Sequence, residues 1–369
     1  MDDLGAQEQA VLQIIADNPF AGQQDVADML GLARSTVAAH IVSLTKKGYI
    51  LGRGYVLPAA RRIVCVGGAV LDRKYHARKE LIFETSNPVD GYRGFGGVAR
   101  NVAENLARLG VATTFASVVG DDDTGRALVR HLRDLGVDVS QVVTTAERPT
   151  AEYAAILGPD NNLVLGIADM DVFDQFGPVQ IDRMWPHLAA AAWVFADCNL
   201  PAATLAALIA RKEGSRFKLA VDTVSTPKAL RLPRDLSGID LLFLNNDEAN
   251  TILGRTDPAT HLRPEEAAMG LRERGAGAVL VTMGARGIAV ASEDGVRQVA
   301  PVPAHPVDVT GAGDAMIAGT LYRVLAGEDT LTAVRTGTLA ATLTTESEAS
   351  VHPDLSARLL AANMHRIPA

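Results

Sequence analysis

Only two cysteines, Cys65 and Cys198, occur among the 369 residues. Two thiols cannot build a disulfide framework, and both sit in apolar runs, so they read as reduced and buried. Long hydrophobic runs are also missing. The longest uncharged one, Leu188–Ala196, falls far short of the roughly 20 residues needed to cross a bilayer. The opening MDDLGAQEQA is acidic and lacks the basic and apolar regions of an export signal, so a cytoplasmic protein without membrane contact is expected. A basic excess is absent as well. With 35 Lys and Arg against 43 Asp and Glu, the net charge is −8, which argues against a general nucleic-acid coat. At 48% hydrophobic and 21% charged residues, the composition excludes collagen-like and wholly disordered chains.

One local absence divides the chain. No acid occurs between Asp28 and Asp72, while Arg34, Lys46, Lys47, Arg53, Arg61 and Arg62 fall in that interval. The first 62 residues are thus polarised, and two parts with different partners are expected. Val11, Leu12, Ile14 and Ile15 give one apolar helical face, which Asn18-Pro19 stops. Gln23–Leu30 repeats the pattern, Gly31 breaks it, and Ser35 is placed to cap a helix reaching about Lys47, with Val37, Ile41 and Leu44 inward. Tyr49-Ile50-Leu51 and Tyr55-Val56-Leu57 flank a glycine turn, as a two-stranded wing would. Ala27, Gly31 and Val37 supply the small residue, turn glycine and core β-branched residue of a helix-turn-helix. Residues 5–57 resemble the winged helix-turn-helix of bacterial regulators. The resemblance implies a DNA operator met by Arg34, Ser35, Thr36 and His40 on the recognition helix, with Lys46, Lys47 and Arg53 on phosphates. A small helical interaction module with a solvated basic face is the plainer alternative. The boundaries expected are 1–57 for this domain, 58–62 for a linker and 63–369 for the rest.

From Ile63 the texture changes to short apolar strands: Ile63–Val66, Ala112–Val119, Trp193–Ala196, Lys218–Val221, Leu241–Leu244 and Ala278–Thr282. Helical stretches such as Ala99–Leu109, Gly125–Leu135 and Thr204–Lys212 lie between most of them. That alternation predicts an α/β domain with a mostly parallel sheet covered on both faces, and ligands at the carboxyl ends of its strands. Ala151–Leu157 and Asn162–Ile167 read as a hairpin that, with residues 75–95, forms a small sheet acting as a lid from about 75–95 and 150–168.

The chemistry concentrates in Asp308-Val309-Thr310-Gly311-Ala312-Gly313-Asp314, ahead of the helical run Met316–Leu325. Small residues before a helix let backbone N–H groups converge on an anion. A carboxylate at the end of such a loop would repel phosphate, so its sensible task is to take a proton from a hydroxyl attacking that phosphate.

This string resembles the second signature of the PfkB, or ribokinase-like, carbohydrate kinases. Gly96-Gly97-Val98-Ala99-Arg100-Asn101-Val102-Ala103 resembles the first signature, Asn245-Asn246-Asp247-Glu248 the Asn-x-x-Glu motif, and Thr282-Met283-Gly284-Ala285-Arg286-Gly287 the nucleotide loop. The resemblance implies a ribokinase-like fold, with Asp314 as catalytic base and the amides of Gly311, Ala312 and Gly313 as the anion hole. It places Asn245, Glu248, Thr282, Gly284, Gly287 and Thr310 around Mg-ATP, with Glu248 holding Mg2+ through water. It places Asp72, Gly96, Gly97 and Asn101 on the sugar, and implies a lid that often pairs protomers into homodimers. Val309 departs from the Thr of many members, so no role of that hydroxyl transfers. A monovalent cation such as K+ near the loop is left open.

Several stretches resemble the pseudouridine kinase branch: Gly96–Gly110, Asp72-Arg73-Lys74-Tyr75, Ser86-Asn87-Pro88-Val89, Asp222–Lys228 and Ser347-Glu348-Ala349-Ser350. The reaction implied is transfer from ATP to the 5′-hydroxyl of pseudouridine. Asn87, Asp169 and Asp171 are candidates for reading the base, and equally for turn or hinge polars; Lys228 is a candidate for ATP phosphates or for a solvated lysine. Two alternatives remain: a kinase of ribose, inosine or uridine, and a transcription regulator that uses the kinase fold as a ligand sensor.

Overall fold

A computed structural model describes residues 4–18, 21–51 and 61–368. Its first part is three helices, α1 (Ala6–Asp17), α2 (Gln23–Leu30) and α3 (Arg34–Lys46). They close on a core that includes Val11, Ile15, Val26, Val37, Ile41 and Leu44. Gly31 ends α2 in the left-handed conformation, as the turn pattern requires. The helix after it starts two residues earlier than expected. Ala33 is the N-cap and Ser35 lies inside the first turn with no capping bond. Tyr49 and Ile50 are buried in the same core, while the remainder of the expected wing, with Arg53, lies outside the described residues.

The second part contains thirteen strands: β1 (Arg62–Val66), β2 (Val70–Ala77), β3 (Val89–Gly96), β4 (Ala112–Gly120), β5 (Asp138–Thr145), β6 (Glu152–Leu157), β7 (Leu163–Asp169), β8 (Trp193–Asp197), β9 (Lys218–Asp222), β10 (Leu241–Asn245), β11 (Ala278–Thr282), β12 (Ile288–Ser292) and β13 (Gly295–Val299). Nine form the main sheet in the order β13-β12-β11-β10-β9-β8-β1-β4-β5. Its pairings are parallel except β11–β12 and β12–β13. The central strands are apolar between their polar end residues and buried on both faces there. One face packs on a cluster holding Val64, Val194, Leu205, Leu208 and Leu271. On the other, Cys65 and Phe115 of the sheet meet Leu106, Leu128 and Ile317 from α4 (Val98–Arg108), α5 (Asp123–Asp134) and the helix Ala312–Leu325. The remaining strands form a small sheet in the order β3-β2-β6-β7. It starts at Val70, five residues before the expected start, because β2 runs straight on from the turn after β1.

The three-helix part docks at the amino ends of the main strands. Arg216, just before β9, stacks its guanidinium 3.8 Å from the Tyr49 ring centre and donates to the Lys47 carbonyl at 2.9 Å. Gly48 meets the helix Trp185–Ala190, and a Cβ there would lie 2.2 Å from the Ala189 and Ala190 backbone. The opposite, carboxyl edge of the sheet is left for the site.

Candidate active site

At that edge a row of polar residues ends the strands: Asp197 on β8, Asp222 on β9, Asn245 on β10 and Thr282 on β11. Asp197 is fully buried and accepts from the N–H groups of Gly68 (3.0 Å), Ala99 (2.8 Å) and Asn199 (2.9 Å) and from the Asn199 amide (3.0 Å). Burial pushes its carboxyl up while these donors pull it back. It thereby fixes the start of α4 against the turn after β1.

The first turn of α4 carries Arg100 and Asn101. Arg100 is paired with Glu104 and donates to Asn101 Oδ1 at 2.8 Å. With its oxygen taken, Asn101 directs its NH2 to Asp314 Oδ2 at 2.7 Å. Asp314 is partly open to the cleft yet enclosed on most sides by protein. Burial drives its carboxyl up to about 7, the Asn101 hydrogen bond opposes the rise, and the Asp197 and Asp72 carboxylates add to it. Asp72, on β2, is raised to about 6 by burial, against the pull of Lys74 and Arg100. Gly96 backs directly onto the Asp72 carboxylate.

Asp314 sits in the first turn of Ala312–Leu325, whose N-cap is Gly311 at φ 80°. A Cβ on Gly311 would lie 1.8 Å from the Ser350 carbonyl oxygen, so only glycine fits that conformation and that contact. First-turn amides have no carbonyl one turn earlier and face the cleft. Ala312 is the exception, since its N–H turns back to the Val309 carbonyl at 3.3 Å.

The four residues Asn245–Glu248 form a reciprocal cap. Asn245 Oδ1 accepts from the Glu248 N–H at 2.9 Å, and the Glu248 carboxylate accepts from the Asn245 N–H (2.9 Å) and amide (2.8 Å). Thr223 adds a third donor at 2.6 Å. Asp222, Asn245, Glu248, Thr282, Gly313 and Asp314 line one cavity of about 180 Å3. A larger one of about 370 Å3 is lined by Thr282, Gly284, Gly287, Val302, Val309, Gly313 and Met316, among others. Both cavities include Thr282, Gly313 and Met316 in their walls, so they adjoin beside Asp314.

Residues 60–357 match the model of the pfkB family carbohydrate kinases, and residues 6–50 that of the winged helix-turn-helix DNA-binding family. The chain belongs to the PfkB kinases. It is similar to the uncharacterized sugar kinase YeiI of Escherichia coli (strain K12), with 33% identity over 95% of this chain and 96% of that one. A pseudouridine kinase of the same organism is 28% identical over 80% of this chain and 93% of its own length. A solved carbohydrate kinase from Agrobacterium tumefaciens superposes with a TM-score of 0.73 at 32% identity, covering 84% of this chain and 98% of that one. The PfkB chain is therefore a sugar or nucleoside kinase with a winged helix-turn-helix ahead of it.

PfkB kinases use ATP with Mg2+. Among the described residues no cluster of three or more His, Cys, Asp or Glu makes a ready metal cage. The fit lies instead in the smaller cavity, where half-buried Asp222 has its carboxyl pushed up by desolvation and by Glu248 and Asp314. Asp222 and Glu248 would hold Mg2+ there, Glu248 through water because its oxygens already accept three donors, and the cation would supply positive charge that relieves their crowding.

Other expected residues of the PfkB domain scatter. Asn87 is spent on its own turn, donating to the Ile82 and Thr85 carbonyls and accepting from the Ile82 N–H. Asp169 is exposed at the end of β7, opposite Glu152. Asp171 pairs with Arg148 at 3.6 Å. Lys228 is neither solvated nor in either cavity; it donates to Asn199 Oδ1 at 2.6 Å, behind Asp197. Thr310 accepts from Lys74 at its hydroxyl and does not line the larger cavity, while Gly97 caps α4. Asp197, Asp222 and Arg100 were missed; a lone acid ending an apolar strand was the available signal for the first two.

On the helix-turn-helix, Arg34, Ser35 and Lys46 are exposed and Thr36 and His40 half-exposed. Lys47 is engaged within the three helices. It donates to Glu8 at 2.7 Å, and Ser43 donates to the other Glu8 oxygen at 2.6 Å.

Proposed function

We propose that this kinase transfers the γ-phosphoryl of ATP to the 5′-hydroxyl of pseudouridine, and that its helix-turn-helix binds DNA. The junction of the two cavities beside Asp314 carries the first half. Nucleotide fits the larger cavity, whose apolar wall suits an adenine ring, and its phosphates extend toward Gly313. The acceptor lies between Asp72, Gly96, Gly97 and Asn101. Asp314, with a carboxyl near neutrality, takes the hydroxyl proton while Asn101 holds its other oxygen in place. The Gly311 and Gly313 amides face the charge that gathers on the phosphoryl oxygens. Mg2+, when bound, supplies charge neutralisation on the phosphates. The small sheet serves as the lid that keeps out water, a competing acceptor.

The pseudouridine assignment is supported by the resemblance of the quoted segments and by the similarity to a pseudouridine kinase. A different sugar or nucleoside is the second reading, favoured by the higher identity to a sugar kinase over nearly the whole chain. ADP release with pseudouridine, uridine, inosine and ribose separates them; pseudouridine should give the highest kcat/KM, and preference for ribose would reject the assignment. Repeating it with and without K+ reads any cation dependence.

DNA binding is supported by the match of residues 6–50 to the winged helix-turn-helix family and by the exposed Arg34, Ser35 and Lys46 on α3. Affinity for its own upstream sequence should fall steeply with salt; salt-independent binding, or none, would reject it. A homodimer through the lid is supported by β7, an edge strand exposed along its length with Leu163, Val164, Leu165 and Ile167 each about half exposed. Light scattering should report a dimer for the native chain and a monomer for Ile167→Asp.

A further inference from the structure

Asp72 and Lys74 are two apart on β2 and so share one face of the small sheet. Asp72 faces the acceptor side of the cleft. Lys74 crosses it. Its ammonium donates to Asp308 Oδ2 at 2.6 Å and to Thr310 Oγ1 at 2.8 Å, both on the loop that leads into the helix Ala312–Leu325. The same Asp308 accepts the Thr310 N–H on its other oxygen at 2.8 Å. One cation thus clamps both residues of a tight turn whose next member is Gly311, held left-handed against Ser350. Lys74 and Asp308 are about three-quarters covered, with side-chain exposures of 22% and 29%, so the pair is less screened than a surface ion pair.

We infer that Lys74 is a positioning residue that couples closure of the small sheet to the geometry of the Gly311–Gly313 anion hole. The inference rests on the kinase reading of Asp314 and its loop. With the ammonium in place, the sheet cannot swing away from the loop without stripping Asp308 Oδ2 and the Thr310 hydroxyl of their shared cation. The turn before Gly311 is likewise set only when the sheet is down. The anion hole is therefore complete only when the acceptor is enclosed, which keeps water from the phosphoryl group. Lys74 itself touches neither reacting atom.

The test uses the full chain with Lys74→Met, Lys74→Arg and Asp308→Asn. Amide hydrogen exchange reads the coupling without any acceptor. Lys74→Met and Asp308→Asn should each raise exchange in both 70–77 and 307–314, and the double variant should add little to either. In turnover, Lys74→Met should lower kcat by 10-fold or more and raise acceptor KM more than ATP KM. Its ratio of ADP released to acceptor phosphorylated should rise above one, since an open cleft admits water. Lys74→Arg should restore a ratio near one. Unchanged exchange in the 307–314 loop in Lys74→Met would overturn the inference, as would a coupling ratio that stays at one. If native protein phosphorylates no acceptor, the kinase reading fails while the exchange result still decides whether the clamp exists.

Discussion

In the proposed reaction Asp314 is the base, and its environment bears on both its strength and its sensitivity to pH. A carboxylate at its ordinary value would be a poor base; enclosure by protein raises it to about 7, and Asn101 keeps it from rising further. The sign follows directly. The ionised form is the active one, so kcat/KM should fall about tenfold per pH unit below roughly 7 and level off above it. A profile flat between pH 5 and 8 would remove this assignment. Asp314 stands out as a candidate base in its motif alone, because anion-holding amides next to a carboxylate leave that carboxylate few other tasks. The support behind it was not legible. Arg100 orients its neighbour Asn101, and Asp197 gathers backbone amides from three segments, of which Ala99 and Gly68 lie 98 and 129 residues away and leave no local pattern. Lys228 shows the same limit: its partner Asn199 is a neighbour only once β8 and β9 lie side by side.

At the level of elements, continuous apolar runs identified the central strands, since a strand buried on both faces has no polar positions to confuse the reading. β5 and the hairpin β12–β13 escaped. β5 is an edge strand, half-buried, with Asp138, Ser140, Gln141 and Thr144 breaking the apolar run. The helix-turn-helix was legible in its turn and core, but not in the use of its charges. Glu8 on α1 collects Lys47 and Ser43 from the far end of α3, and their hydrogen bonds hold its carboxyl down to about 2. A lowered carboxylate stabilises above its unfolded value of about 4.5 and loses that contribution as pH drops toward 2. Glu8→Gln should therefore destabilise the three helices by about 1 kcal/mol at pH 7, with the difference from native shrinking below pH 4. Hydrogen exchange over residues 6–50 measures it, and equal protection at pH 7 would contradict it.

For the whole molecule, the two ends of one sheet divide the labour. The helix-turn-helix is seated at the amino ends through Gly48, Tyr49 and Arg216, and the cleft opens at the carboxyl ends around Asp314. That separation lets catalysis and DNA binding be removed independently. It also sets the kinase reading apart from a sensor, which would need the pocket but not the base. The most direct measurement is therefore Asp314→Asn in the full chain, assayed for acceptor phosphorylation and for Mg-ATP binding. The expected result is a loss of turnover of about 1,000-fold or more, with nucleotide affinity and DNA affinity within a few-fold of native. Turnover near the native rate in that variant would contradict the assignment of Asp314 as the base.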